Sequence, residues 1–167
     1  KSTLLAQALH QAAAEVPGAV LLARFIGATA ASTQGRALLS SLCRQLRRSY
    51  DLPPAEIPQD DRSLAAEFQR LLQQATAQRP LVLFLDALDQ LAPGDAARDL
   101  RWLPSHLPEH VSLVLSCLPG ELQTRLEALV PAQNRLELAA MSPAEGSELL
   151  DRWLEHAGRA LQAEQRR

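Results

Sequence analysis

Five consecutive apolar residues, Leu81-Val82-Leu83-Phe84-Leu85, run straight into an acid, Asp86. A strand with one wet face alternates apolar and polar side chains, so an unbroken run of this length needs cover on both faces. The usual solution is a parallel sheet wound with crossover helices, because only parallel strands force helices onto both sides. Composition sets a second condition. Hydrophobic residues make up 47% of the chain but aromatics only 4%, so Leu, Val and Ala must fill the layers between helix and sheet.

The rest of the sequence supplies suitable helices and strands. Leu5, Ala8, Leu9 and Ala12 recur at helical spacing and predict a helix from Ser2 to Glu15, stopped by Pro17 and Gly18. Val20 to Ile26 reads as a strand interrupted only by Arg24, and a helix follows with Leu38, Leu39, Leu42 and Leu46 on one face. Leu52 to Asp61 carries three prolines and reads as a surface loop. Beyond it, Leu64, Phe68, Leu71, Leu72 and Ala75 form an amphipathic stripe that Pro80 ends. After the central strand the pattern predicts a short helix over Asp95–Leu103, a strand over Val111–Leu115 and a helix over Glu121–Leu129. A brief last strand is predicted over Arg135–Leu138. Ser142-Pro143-Ala144-Glu145 then has the form of a capping box with proline at the first helical position. It opens a helix with Leu149, Leu150, Trp153, Leu154 and Ala157 on one stripe. The alternation gives an α/β, doubly wound, mainly parallel sheet flanked by helices. We expect one domain over 1–167, with 142–167 as its closing helix leading into a next domain.

Several function classes lose support. Seventeen basic and nineteen acidic residues leave a net charge of -2, which gives no electrostatic reason to expect nucleic acid or an anionic membrane. Arg44, Arg47 and Arg48 read as a solvated helix face. No apolar run approaches the roughly 20 residues that span a bilayer. Cys43 and Cys117 match no metal-ligand spacing and read as buried thiols in a reducing cytosol. The four histidines share no acid–base or metal spacing, and Trp102 and Trp153 read as core or inter-domain packing. The chain opens without an initiator Met or signal peptide, so a cytoplasmic fragment of a longer protein is expected.

Three features carry chemistry. Lys1-Ser2-Thr3 stands at a helix start, as in a phosphate-binding loop, where Lys neutralises the β/γ-phosphates and the hydroxyl ligates Mg²⁺. Asp86 ends the apolar strand at the sheet edge where α/β proteins bind ligands, and Asp89 lies three residues beyond it. Ser116-Cys117 ends the next strand, where a polar residue can sense the γ-phosphate. Their order is that of a P-loop NTPase whose first strand and glycine loop are absent. On this reading Lys1, Ser2, Thr3 and Ser116 bind nucleotide, and Ser2 and Asp86 hold Mg²⁺. Asp89 either orients the attacking water or is a solvated loop acid. For Arg24 a structural partner carboxylate is favoured over a ligand role, and for Thr29 a turn role is favoured over phosphate.

Asp86-Ala87-Leu88-Asp89 resembles the second nucleotide motif of NACHT domains, a branch of the STAND signalling NTPases. Arg24-Phe25-Ile26-Gly27-Ala28-Thr29, with Leu39-Ser40-Ser41-Leu42-Cys43, resembles the segment after the first helix in NACHT-and-WD-repeat proteins. Trp102-Leu103-Pro104, Leu107-Pro108 and Val111 to Ser116 are similar to stretches of telomerase-associated protein and nephrocystin relatives. Leu154, Gly158-Arg159, Leu161 and Gln165 are similar to the helix that closes such domains. The resemblance implies ATP, or GTP, with Mg²⁺. It implies a switch between an ADP-bound closed form and an ATP-bound assembling form, with slow hydrolysis. It also implies further domains in the same chain, WD or other repeats, and nucleotide-dependent self-association. Two departures motivate an alternative, a non-hydrolysing interaction scaffold. Gln90 stands where many relatives have a further acid, and Leu118 stands near the place of a sensor Arg. A ring-forming ATPase is disfavoured because no acid directly follows Asp86.

Overall fold

The computed structural model describes residues 1–159. They fall into two compact units, one over Lys1–Arg135 and one beginning at Leu136. In the first unit the elements run α1 (Ser2–Glu15), β1 (Val20–Phe25), α2 (Gly35–Ser49), α3 (Asp61–Leu72), β2 (Leu81–Asp86), β3 (Val111–Leu115) and α4 (Glu121–Leu129). The second unit holds α5 (Pro143–His156).

The strands form one parallel sheet in the order β1-β2-β3. The apolar run is therefore the central strand, and all six residues of β2 are buried. Register sets Phe25 opposite Asp86 and Leu85 opposite Leu115, so all three strands finish at the same edge. Alternate residues of β2 face opposite layers. Leu81, Leu83 and Leu85 join Leu22 and the apolar stripes of α2 and α3 in the main core. Val82 and Phe84 join Leu5 of α1 in a second, smaller cluster. The α/β architecture expected from the sequence is the one the chain adopts.

Local rules explain the helix boundaries. Asp60 accepts the Ser63 N–H at 2.8 Å and caps α3. In α5 the capping box is complete: Ser142 Oγ accepts from the Glu145 N–H at 3.2 Å and the Glu145 carboxylate from the Ser142 N–H at 2.7 Å. Helix α2 lacks a side-chain cap of its own. Asp95, distant in sequence, supplies one by accepting the Gly35 N–H at 2.8 Å.

Several expectations need correction. Arg135–Leu138 is not a strand: Leu136 and Leu138 are exposed, and no described strand pairs with them. A two-residue alternation has no force without a neighbour to bond. The helix over Asp95–Leu103 is only a 3-10 turn, Ala96–Asp99, ended by Leu100 in the left-handed region at φ 58°. The α3 helix stops at Leu72 rather than near Pro80. Arg24 has no carboxylate partner among the described residues; it donates to Ser41 Oγ at 2.9 Å and Gln45 Oε1 at 2.6 Å. Burial holds its pKa below the ordinary value. Trp102 is buried edge-on against Phe68, but it lies in a turn rather than on a helical stripe. Trp153, on α5, is 62% exposed. Leu161 and Gln165 lie outside the described residues. No helix among the described residues is long and apolar enough to cross a membrane.

Candidate functional site

The carboxyl edge of the sheet gathers most of the predicted site residues. Asp86, last in β2, is 2% exposed and is the buried charged residue of the described chain. Its two oxygens accept from two hydroxyls: Ser2 Oγ, from the first turn of α1, bonds Oδ2, and Ser116 Oγ, just past β3, bonds Oδ1. The parallel register brings this about, since β2 and β3 end level and α1 begins at the same edge. Ser116 has further duties. Its Oγ accepts the Ala87 N–H at 2.9 Å, and its carbonyl accepts the Leu88 N–H at 2.9 Å. These bonds hold the chain where it leaves β2, because Ala87 sits in the left-handed region at φ 58°, uncommon for a residue with a side chain.

Beyond Ala87, a 3-10 turn over Leu88–Gln90 presents Asp89. Lys1 Nζ lies 3.6 Å from Asp89 Oδ1, with both side chains largely covered. The Leu118 N–H donates to the same oxygen at 2.9 Å, and the Gln90 amide donates to Oδ2 at 2.7 Å. Burial alone would raise the Asp89 pKa. The Gln90 and Leu118 hydrogen bonds and the Lys1 charge outweigh it and hold the carboxyl below its ordinary value. Neighbouring Cys117 is pushed up, by burial first and then by Asp89.

Lys1, Ser2, Asp86, Asp89 and Ser116 thus form one connected group, and Thr3 is not drawn into it. Thr3 is exposed and no side-chain hydrogen bond of it is seen among the described residues. Thr29 is used locally: its Oγ1 accepts the Ser32 N–H at 3.2 Å, closing a small turn after β1. Gln90 and Leu118, set apart in the sequence only as departures, both touch Asp89. Leu118 does so through its backbone, so no side-chain pattern could have marked it. Sequence reasoning passed over Arg98, whose Nη1 donates to the carbonyls of Asp89 at 3.1 Å and Leu91 at 2.6 Å.

A divalent cation with phosphate suits this donor set. Asp86 is a buried carboxylate bonded only to neutral hydroxyls, with no ion pair among the described residues, and buried charges ordinarily have a counter-charge. No group of three or more His, Cys, Asp or Glu among the described residues could hold a metal by itself. One carboxylate and one hydroxyl match a hard cation whose other ligands are water and phosphate oxygens.

Comparison with known proteins bears on the family. NACHT and WD repeat domain-containing protein 2 of Mus musculus is 39% identical over 133 residues, covering 78% of this chain and 8% of that protein. NACHT domain- and WD repeat-containing protein 1 of Homo sapiens is 32% identical over 149 residues, covering 85% of this chain and 10% of that protein. Tetratricopeptide repeat protein 41 of Rattus norvegicus is 25% identical over 150 residues, covering 84% and 12%. The chain spans about a tenth of the length of these curated relatives. No solved structure matches it. The family model described as NACHT domain matches residues 1–157, and the chain therefore belongs to the NACHT family of nucleotide-binding, NTPase-type signalling domains.

Proposed function

We propose that this chain is a nucleotide-operated switch that binds Mg²⁺–ATP, or GTP, at the carboxyl edge of its sheet and hydrolyses it slowly. The observation that carries the reading is the meeting of Lys1 and Ser2, at the head of α1, with Asp86 and Asp89 at the end of the central strand. In this reading Lys1 exchanges its pairing with Asp89 for the β/γ-phosphates. Thr3 contributes at the helix start, where backbone N–H groups favour anions. Ser2 and Asp86 hold Mg²⁺, and the cation supplies charge neutralisation at the phosphates. Ser116, bonded to Asp86 and to the strained backbone at Ala87, couples the γ-phosphate position to the turn that carries Asp89. Asp89, kept ionised, accepts a hydrogen bond from water and orients it.

The proposal extends to the whole protein. Residues 1–167 serve as one nucleotide-binding module, with 142–167 leading into the next domain, and the nucleotide state controls assembly through repeat domains and self-association. A cytoplasmic setting agrees with the two free cysteines, Cys43 and Cys117. Titration of the full-length protein with Mg²⁺–ATP and Mg²⁺–GTP tests the reading. Lys1→Ala and Asp86→Asn should each weaken binding by about 10-fold or more. Affinity equal to that of the parent in both variants would overturn it.

One observation favours the non-hydrolysing scaffold instead. Both Asp89 oxygens are already engaged, by Gln90, Leu118 and Lys1, which competes with water. Single-turnover hydrolysis separates the readings: product from the parent, abolished in Asp86→Asn, excludes the scaffold.

A further inference from the structure

We propose that Arg98 is a positioning residue for Asp89, acting from a strut that ties the turn after the central strand to the start of α2. The inference rests on the reading that Asp89 orients water, and it concerns a residue outside the nucleotide-contacting group. Arg98 is half-buried and places Nη1 between the carbonyls of Asp89 and Leu91, at 3.1 and 2.6 Å. These acceptors bracket the end of the 3-10 turn that carries Asp89, so one guanidinium fixes the backbone on both sides of Gln90. Hydrogen bonds with an ionised donor are shorter and stronger than neutral ones.

Nearby acids do not divert it. Asp95 accepts from the Gly35 N–H and the Ala97 N–H, each at 2.8 Å, and Asp99 pairs with Arg125 at 2.7 Å. Arg98 makes no ion pair among the described residues; its charge is felt by Glu121 across the cavity they both line, while its hydrogen bonds go to the turn. The segment that carries it is anchored elsewhere. Asp95 holds the first N–H of α2, and the Ala92 N–H donates to the Thr33 carbonyl at 2.8 Å. Trp102 Nε1 donates to the Ala97 carbonyl at 2.9 Å while its ring meets Phe68 of α3. The outer side of the strut borders a cavity of about 240 Å³ lined in part by Gly94, Arg98 and Arg125. On the inner side Leu91, Ala97 and Leu100 pack into the main core, and together with the bonds named here they set the strut's place.

The turn needs such a restraint. It leaves β2 through Ala87 in a left-handed conformation, and the Asp89 carboxylate reaches the Leu118 N–H only while the turn keeps its place. Without Arg98, water can solvate the two carbonyls but does not tie them to the strut. Among the described residues no hydrogen bond or ion pair joins Lys1, Ser2 or Asp86 to Arg98, so nucleotide affinity should be spared and the hydrolytic step should not.

The test compares Arg98→Ala and Arg98→Lys with the parent in the full-length protein. Its measurements are Mg²⁺–ATP affinity, single-turnover rate, and hydrogen exchange over 87–92 and at Leu118. Arg98→Ala should hold affinity within about 2-fold, slow turnover by about 10- to 100-fold and speed exchange in both segments. Arg98→Lys, which keeps a cation but loses the planar guanidinium that sets Nη1 between the two carbonyls, should recover part of the rate. An unchanged rate overturns the proposal, and so does a fall of affinity and rate together. If the parent binds no nucleotide, the switch reading fails by itself. Exchange then decides whether Arg98 fixes the turn, and unchanged exchange in Arg98→Ala sinks the inference.

Discussion

The two faces of the sheet are built to different standards. On the face covered by α2 and α3, Leu22, Leu81, Leu83 and Leu85 meet Leu42, Leu46, Leu64, Phe68 and Leu71, all at 2% exposure or less. On the other face, among the described residues of the Lys1–Arg135 unit, the cover comes from α1. Leu5 is its one buried residue, and Phe25 and Val114 stand 40% and 37% exposed. The site draws on both. Asp86 belongs to the strand the thick layer locks, whereas Lys1 and Ser2 ride on the helix of the thin one. The acidic half of the site is thus held by the main core, and the half proposed to meet phosphate by a few alanines and leucines. Local stability follows buried apolar contact, so a ligand has more freedom to reorder the α1 side than the β2 side.

The largest test of this asymmetry is a pair of matched truncations. Leu83→Ala opens a cavity in the thick layer and should destabilise by about 4 kcal/mol, whereas Leu5→Ala, at the rim of the thin one, should cost about 2 kcal/mol. Hydrogen exchange of the β2 amides reads the first, and of the α1 amides the second. Leu5→Ala should also weaken Mg²⁺–ATP binding, because Lys1 and Ser2 lose their support, while leaving exchange in α2 unchanged. Equal costs at the two sites would remove the distinction.

Next in size is Gly35→Ala. A methyl group there would overlap Ala97 and come within 2.6 Å of Asp95 Oδ1, so α2 and the strut must part. Overpacking of this kind costs about 1–3 kcal/mol. The thick layer should register it as a lower melting temperature, and the turn over 87–92 should exchange faster, as in Arg98→Ala. A loss of stability with no change at that turn would mean that the strut and the turn are independent.

The same asymmetry decides what the sequence could reveal. The apolar run of β2 was legible because burial on both faces leaves an unmistakable pattern. The stripes of α2 and α3 were legible because they face a deep layer. The α5 start was legible because a capping box is a local rule. Lys1, Ser2, Asp86 and Ser116 could be grouped by residue type and order, and parallel register then brings their ends level. What remained hidden depends on contacts distant in sequence. Asp95 caps a helix that begins sixty residues earlier; Arg98 donates to backbone carbonyls and Leu118 donates its backbone N–H, groups that carry no residue signature. Leu136 and Leu138 misled because alternation implies a neighbouring strand, and none is described there.

The smallest expected effect concerns how the thick layer is fastened at its rim. Arg47 of α2 and Arg70 of α3 both reach Glu67, each at 2.7 Å, whereas the ion pair on the α1 side, Lys1–Asp89, is longer at 3.6 Å. The Glu67 pKa is lowered, first by the Arg70 hydrogen bonds and then, against the opposing effect of burial, by Arg47. The folded state therefore holds the ionised carboxyl more firmly than the unfolded chain does. Its contribution is fully present above the ordinary carboxyl range, about pH 4 to 5, and is lost as pH falls through the depressed folded value. Glu67→Gln should lower the melting temperature modestly at pH 7 and match the parent more closely as pH drops, because the parent loses there what the variant already lacks. Local exchange should rise at the α2–α3 rim and stay unchanged in α1. A gap between variant and parent that is constant from pH 7 to the acid limb would mean that Glu67 serves by packing and not by charge.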